Sequence, residues 1–437
     1  MSKTQSIIRG TLILTLAGIL TRLIGFYYRI FLSHTFGEEA VGLYQLIFPV
    51  YALFFSLTCA GIQTAISRLT ARCTAVGKSL QAVRCLMTGL IISCTLSILC
   101  MIFLQQTSPV IALHFLGDQR CAPLLYAMAY AFPFGAVHSS LCGYYLGQRR
   151  TNVPAFSQLL EQLARVSTVF LLCHFSLRQH FTPNIVFAVL GLAAGEMISS
   201  FYAVFYFLTE QRQQAELRPA VRGMFQPFKS LMQLAIPLST NRILLNLLQS
   251  VEAVSIPHSL KVYGLTTAEA LSVYGVLTGM ALPCILFPSA VTNSMSSMLI
   301  PTVAELQASK NQTALYRLVS KVVFFCIFIG IICCTGFLLA GNVIGQVLFH
   351  SSLAGTFIVT LAWICPFLYL NTALLSILNG LGKTSSTLLI NMVGLTVRII
   401  SVYLIIPFCG IQGYLWGLLL SQILITLSSF FLLKRIS

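Results

Sequence analysis

The chain has 437 residues, 57% of them hydrophobic and only 8% charged, with 26 Lys and Arg against 10 Asp and Glu. So apolar a composition, sustained along the whole length, excludes a water-soluble globular protein. The formal net charge of +16 does not point to nucleic acid, because the cations gather in short connections between apolar runs.

An apolar helix needs about 20 residues to cross a hydrocarbon core of roughly 30 Å. Such runs are predicted over 7–32, 41–67, 82–106, 122–147, 153–176 and 184–208, and again over 229–256, 270–302, 317–340, 354–379, 385–408 and 411–433. The fold class is therefore an all-α integral membrane protein of about twelve transmembrane helices. The first run lacks an A-x-A-like cleavage site and reads as a retained span rather than a signal peptide. With the N-terminus inside, Lys3, Arg9, Arg68, Arg72, Lys78, Arg84, Arg149, Arg150, Arg212, Arg218, Arg222, Lys229, Lys310, Arg317, Lys321, Lys383, Lys434 and Arg435 fall on the inner side. Arg120, Arg178 and Lys261 fall outside, so the bias predicts cytoplasmic N- and C-termini.

Self-comparison gives an internal repeat. At an offset of 233 and without a gap, Pro133-Phe134 matches Pro366-Phe367, Gly147 matches Gly380, Arg150 matches Lys383 and Arg165 matches Arg398. At an offset of 230, "EAVGLY" (39–44) matches "EALSVY" (269–274), and more weakly Arg22 corresponds to Arg242. The division expected is an N-terminal six-helix lobe over 1–208, a cytoplasmic basic linker over 209–228 and a C-terminal six-helix lobe over 229–437. An even number of spans per lobe makes both enter the bilayer from the same side, so their pseudo-two-fold runs along the membrane normal.

Five arginines, Arg22, Arg29, Arg165, Arg242 and Arg398, lie inside predicted spans against three glutamates, Glu161, Glu196 and Glu252. A charge at the bilayer centre costs at least ~2.5–3.5 kcal/mol, so each needs a partner, a watery cavity or an escape to the interface. Arg22 and Arg29 are seven apart and share a helix face, with Arg29 close enough to the outer end to snorkel. In "SQLLEQLARVS", Glu161 and Arg165 are four apart and can pair, either as a structural ion pair or as a polar face on which Glu161 exchanges a proton. In "STNRILLNLLQSVEAVSIP", Asn241, Arg242, Asn246, Gln249 and Glu252 interrupt the apolar run, which predicts a cavity-facing helix. Glu196 follows "GLAAG", a small-x-x-x-small packing motif, and reads as a packing partner rather than a ligand. Pro133 and Pro366, as repeat mates, are the hinge candidates. The excess of arginine predicts a preference for anions, phosphate above all, since the guanidinium fork donates two parallel hydrogen bonds. No metal-ligand spacing occurs among the fourteen cysteines and seven histidines, so no metal or cofactor is predicted beyond a possible coupling ion.

"GILTRLIGFYYRIFLSHTFGEEAVGLYQLIFPVY", "QLLEQLARV" and "VYGVLTGMALPCILFPSAVTNSMSSMLIP" resemble the stage V sporulation protein B-like polysaccharide-biosynthesis proteins. These belong to the multidrug/oligosaccharidyl-lipid/polysaccharide (MOP) exporter superfamily, which includes lipid II flippases. The resemblance implies two six-helix lobes around a central cavity, essential arginines in the first helix at the positions of Arg22 and Arg29, and a role in cell-wall or spore-cortex assembly at the bacterial plasma membrane. Larger relatives carry two further C-terminal helices that form a groove for the lipid tail, and twelve spans are read here. The leading reading is a flippase moving an undecaprenyl-pyrophosphate-linked saccharide to the outer leaflet by alternating access, with the bilayer as a partner and the cell-wall synthesis machinery as a further candidate. Other readings are an ion-coupled multidrug exporter, against which the arginine excess speaks, a membrane glycosyltransferase using Glu38 and Glu39, and a non-transporting scaffold. No G-x-x-x-x-G-K-[ST] loop is present to bind ATP.

Overall fold

In hydrocarbon every backbone N–H and C=O must find its partner within the protein, and a helix satisfies them inside a single segment. The computed structural model describes residues 3–214, 225–309 and 312–436, and every regular element among them is helical. Half of the predicted linker 209–228, residues 215–224, lies outside the described residues.

The elements are α1 (Lys3–Phe55), α2 (Gly61–Ala75), α3 (Ser79–Val110), α4 (Cys121–Ala129), α5 (Ala131–Gly147), α6 (Asn152–Arg178) and α7 (Val186–Gln214). After the undescribed stretch come α8 (Phe228–Val262), α9 (Thr267–Gly275), α10 (Leu282–Leu286), α11 (Ser289–Ala308), α12 (Gln312–Phe349), α13 (Ser352–Leu361), α14 (Cys365–Gly380), α15 (Thr384–Leu404), α16 (Ile406–Cys409) and α17 (Ile411–Ile436). The breaks have local causes. Gly37, at φ 80° and ψ 171°, interrupts α1 between the first two predicted spans, in a conformation that a side chain would oppose. Five-residue π-helical turns join α1 to α2 and extend α3, and a six-residue one, Val276–Ala281, joins α9 to α10. Pro133 stands in the first turn of α5 and Pro366 in the first turn of α14, where a missing N–H costs no helical hydrogen bond. Each follows a break within a predicted span, at Tyr130 and at Ala362–Ile364.

By length and apolar content alone, eight helical runs among the described residues can cross a bilayer, and the first, Ile13–Ala75, covers two predicted spans. Predicted spans 122–147, 153–176 and 229–256 are not among the eight, and they are the spans that carry His138, Glu161 with Arg165, and the Asn241 to Glu252 series. The side chains turned outward elsewhere are strongly apolar: Phe324, Leu339, Phe408 and Phe431 are 72–82% exposed, as a protein dissolved in lipid requires. This is a multi-pass membrane protein.

The chain folds as two compact units, one of Met1–Tyr28 with Leu46–Ser250, the other of Arg29–Gln45 with Val251–Ser437. The units exchange segments relative to the two sequence halves: the second half of α1 up to Gln45 joins the second unit, and most of α8 joins the first. In the first unit Ile66, Leu86, Tyr144, Tyr145 and Phe207 form a buried core; in the second, Val303, Cys326, Leu374 and Ile377 do so.

Glycine contacts reproduce the repeat. A Cβ on Gly147 would lie 2.5 Å from the Ser67 carbonyl oxygen in the first unit, and one on Gly380 would lie 2.9 Å from the Ile300 carbonyl oxygen in the second. Both residues of the first contact map to those of the second at the offset of 233. Within the second unit the mates even meet. A Cβ on Gly42 would fall 2.1 Å from the Leu271 carbonyl oxygen and one on Gly275 would fall 2.3 Å from that of Glu38, which are reciprocal contacts under the same offset. Residue i touching j while the mate of i touches the mate of j is the pattern a local two-fold makes. It places 38–42 opposite 271–275 in the 233 register, three residues away from the 39–44 with 269–274 match at offset 230.

Candidate functional site

The first unit assembles a buried polar cluster from four helices. On α6, Arg165 Nη2 donates to Glu161 Oε1 at 2.5 Å, so the predicted i, i+4 pair is formed. The "GLAAG" stretch brings α7 against this turn: a Cβ on Gly191 would lie 2.9 Å from the Arg165 carbonyl oxygen, and one on Gly195 2.7 Å from that of Glu161. Only glycine permits that approach, and the next residue is Glu196. Glu196 is 6% exposed, accepts from the Tyr51 hydroxyl at 3.1 Å and faces His138 Nδ1 at 3.3 Å. Glu196, read from the sequence as a packing partner, also joins the polar cluster: the motif packs the helices, and the carboxylate it delivers meets Tyr51 and His138.

The far side of the His138 ring fixes its hydrogen bonding. Ser157 donates its hydroxyl to the Pro154 carbonyl at 3.0 Å, so the Ser157 oxygen is an acceptor for His138 Nε2, also at 3.0 Å. Nδ1 then faces Glu196, and the imidazole and carboxylate hold one proton between them. Counted with Glu161 and Arg165, the cluster is neutral while that proton is present and carries one negative charge when it leaves. Ligand atoms of His138, Glu161 and Glu196 lie within 4.8 Å of one another, close enough to hold a cation in the proton's place.

The second unit holds a closed arrangement. Arg398 on α15 donates through Nε to Glu252 Oε1 at 2.6 Å and through Nη2 to Glu252 Oε2, a bidentate pair. The Tyr414 hydroxyl donates to Glu252 Oε1 at 2.7 Å, and the carboxylate is 3% exposed. Arg398, predicted as an anion ligand, is thus committed to Glu252 rather than open. Arg29 is part-buried in the same unit and donates to the Thr278 carbonyl oxygen at 3.2 Å, on the π-helical turn. Glu38 accepts from the Ser272 hydroxyl at 2.6 Å, beside the reciprocal glycine contact.

Arg22 and Arg242 differ from these. Both belong to the first unit, both are exposed, and among the described residues no hydrogen bond or ion pair to either side chain is found. Asn241 is exposed as well, whereas Asn246 is engaged, donating to the Ala52 carbonyl oxygen at 3.1 Å and to the Ser56 hydroxyl. Along α1 and α6, Leu16, Leu20, Ala155, Phe156 and Leu159 line an apolar groove of about 530 Å³. Sequence reasoning missed Tyr51, His138 and Tyr414. The signal available for His138 was a lone imidazole in the otherwise apolar predicted span 122–147, where an ionisable group needs a named partner.

The sequence pattern of the polysaccharide biosynthesis protein family matches residues 7–307. Stage V sporulation protein B of Bacillus subtilis (strain 168) is 30% identical over 428 residues, which cover 97% of this chain and 82% of that protein. Lipid II flippase MurJ of the same organism is 21% identical over 455 residues, 99% of this chain and 83% of that one. Among solved structures, an inward-facing multidrug-resistance MATE transporter of the MOP superfamily superposes with a TM-score of 0.75 at 14% identity, covering 95% of this chain and 94% of that one. Lipid II flippase MurJ in an inward closed conformation gives 0.75 at 12% identity, covering 97% and 87%. The repeat, the helical membrane fold and the family pattern agree, and the chain belongs to the polysaccharide biosynthesis protein family, built on the MOP-superfamily transporter fold.

Proposed function

We propose that the protein is a flippase that carries an undecaprenyl-pyrophosphate-linked saccharide, lipid II or a related cell-wall or polysaccharide precursor, from the inner to the outer leaflet of the bacterial plasma membrane. The termini are cytoplasmic, as the positive-inside bias indicates. The observation that carries this reading is the pair Arg22 and Arg242. Each is a permanent cation on a membrane helix, exposed and without a carboxylate partner among the described residues, while Arg165 and Arg398 are neutralised. Such a group is not stable against lipid tails; it has to face water or an anionic ligand, and a pyrophosphate suits a guanidinium fork. Names of relatives fit: a lipid II flippase and a sporulation protein match nearly the whole chain.

The remaining parts divide the work. The saccharide travels in water, and the apolar groove along α1 and α6 accepts a segment of the tail. Coupling falls to the His138–Glu196–Glu161 cluster, whose single shared proton can be exchanged for a cation. Pro133 and Pro366 mark the breaks at which the helices bend during alternating access. Assembly with the cell-wall synthesis machinery would place the product where it is consumed. The test is binding and proteoliposome translocation of lipid II and other undecaprenyl-pyrophosphate glycans by wild type, Arg22→Ala and Arg242→Ala. Specific binding by wild type that falls at least tenfold in both variants, with folding intact, supports the reading. Binding of cationic drugs in place of these lipids overturns it in favour of an ion-coupled exporter.

A further inference from the structure

The second unit carries a pair of histidines that the flippase reading does not use. His34 lies on α1, three residues before the break at Gly37, and His350 directly follows α12. Both are exposed. His34 Nε2 is 2.8 Å from the Leu348 carbonyl oxygen and 3.0 Å from Nδ1 of His350, with the rings 4.3 Å apart between centroids and inclined at 73°. A carbonyl oxygen only accepts, so Nε2 of His34 carries the hydrogen and shares it between the carbonyl and the Nδ1 lone pair. Three electronegative atoms, two imidazole nitrogens and one carbonyl oxygen, therefore converge on a single hydrogen.

Convergence of this kind is what a metal ion replaces. Nitrogens 3.0 Å apart are spaced as neighbouring ligands on an ion about 2.0–2.1 Å from each. Moving the hydrogen of His34 from Nε2 to Nδ1 leaves the ring neutral and turns a second lone pair toward the ion, so binding needs no net loss of a proton from the pair. The backbone at His350 is held at φ 52°, in the left-handed region, which turns Nδ1 toward α1 instead of continuing α12. The α1 side of the pair is equally fixed, because Glu38 and Gly42 pack against Ser272 and Leu271 on α9.

We propose that His34 and His350, with the Leu348 carbonyl, form a binding site for a divalent transition-metal ion. Imidazole nitrogens select borderline ions such as Zn²⁺, Ni²⁺ and Cu²⁺ over Mg²⁺ and Ca²⁺. The ion would tie α1 to the end of α12 and stiffen this end of the second unit. On the orientation proposed above the site faces outward, open to ions from the medium.

The experiment uses the full-length protein in detergent with any affinity tag removed. Zn²⁺ is titrated while the melting temperature is followed, and Cu²⁺ serves as a spectroscopic probe whose nitrogen hyperfine pattern counts coordinated imidazoles. The expected result is one saturable site, a melting temperature that rises with Zn²⁺, and a two-nitrogen Cu²⁺ signal. His34→Ala and His350→Ala should each weaken binding at least tenfold and reduce the signal to one nitrogen, while leaving the metal-free melting temperature within about a degree of wild type. Absence of saturable binding in wild type overturns the proposal. So does undiminished binding in the double variant, which would move the ion to another site such as the His138 cluster. Lipid binding and translocation are read separately on the same preparations, so failure here leaves the flippase reading untouched.

Discussion

In the first unit Arg165 reaches Glu161 across one turn of α6, whereas in the second Arg398 reaches from α15 to grip Glu252 on α8 with both Nε and Nη2. The residue types match and Arg165 and Arg398 are repeat mates, yet the surroundings differ. Beside Glu252 stands the Tyr414 hydroxyl, a donor that completes the carboxylate. Around Glu161 stand a second carboxylate, Glu196, and an imidazole that shares a proton with it. One guanidinium for one carboxylate makes a locked joint; two carboxylates beside one guanidinium leave a carboxylate that the imidazole faces. The repeat keeps the arginine and changes its surroundings.

The largest effect tests the locked joint. Glu252→Ala removes a buried carboxylate that holds both Nε and Nη2 of the half-buried Arg398, and should cost about 3 kcal/mol of stability, read as a collapse in the yield of monodisperse protein and a large fall in melting temperature. Glu161→Ala should cost less, about 1–2 kcal/mol, because Glu161 receives Arg165 through Nη2 rather than as a bidentate pair, and the second carboxylate, Glu196, still interacts with Arg165. Equal losses in the two variants would break the comparison.

Next in size is the reciprocal glycine contact. Gly42→Val sets a branched side chain against the Leu271 backbone, where a Cβ alone already falls at 2.1 Å, and Gly275→Val does the same against Glu38 at 2.3 Å. Each should cost about 1–3 kcal/mol in thermal or denaturant unfolding. Because the contact is reciprocal, the two losses should be similar; a loss from only one of them would refute the two-fold reading of this contact.

Much of the fold was legible. Periodic apolar runs give the helices, and the ungapped match at 233 gives the repeat that the glycine contacts follow. The site was legible only where partners are local: Glu161 and Arg165 are one turn apart, and spacing alone pairs them. Glu252 and Arg398 are 146 residues apart, as distant as two helices chosen blindly, and His138 reaches Glu196 across 58. Such pairs depend on which helix faces pack; Gly191 and Gly195 set α7 against α6, and a packing motif does not announce what it brings together.

A smaller loss of stability is expected from Glu196→Gln, which keeps the shape and the Tyr51 contact and removes the charge facing His138. About 1 kcal/mol is expected in unfolding, with a clear loss of the dependence of translocation on proton or cation gradients in proteoliposomes. The matching change in the second unit, Tyr414→Phe, removes one donor to Glu252 and should leave gradient dependence as it is in wild type. If both variants abolished that dependence, coupling would not reside in the first unit's cluster.

The smallest change in stability should come from Arg22→Ala. Its side chain is exposed and makes no hydrogen bond or ion pair among the described residues, so unfolding should move by no more than about 0.5 kcal/mol. Its effect on ligand binding should be the reverse. A hydrogen bond to a charged group contributes about 1.5–3 kcal/mol, so losing one guanidinium from a pyrophosphate site lowers affinity roughly tenfold or more. Arg398→Ala should show the opposite signature, with stability lost through the uncovered Glu252 and no direct loss of ligand affinity in the protein that still folds. Lys in place of Arg22 sharpens the point, since it keeps the charge and discards the fork: partial rescue of binding would assign the affinity to charge, and no rescue would assign it to the two parallel hydrogen bonds. An unpaired arginine is tolerated in a membrane helix only where something outside the chain completes it, and measuring stability and affinity in the same variants separates that arginine from one the fold has already satisfied.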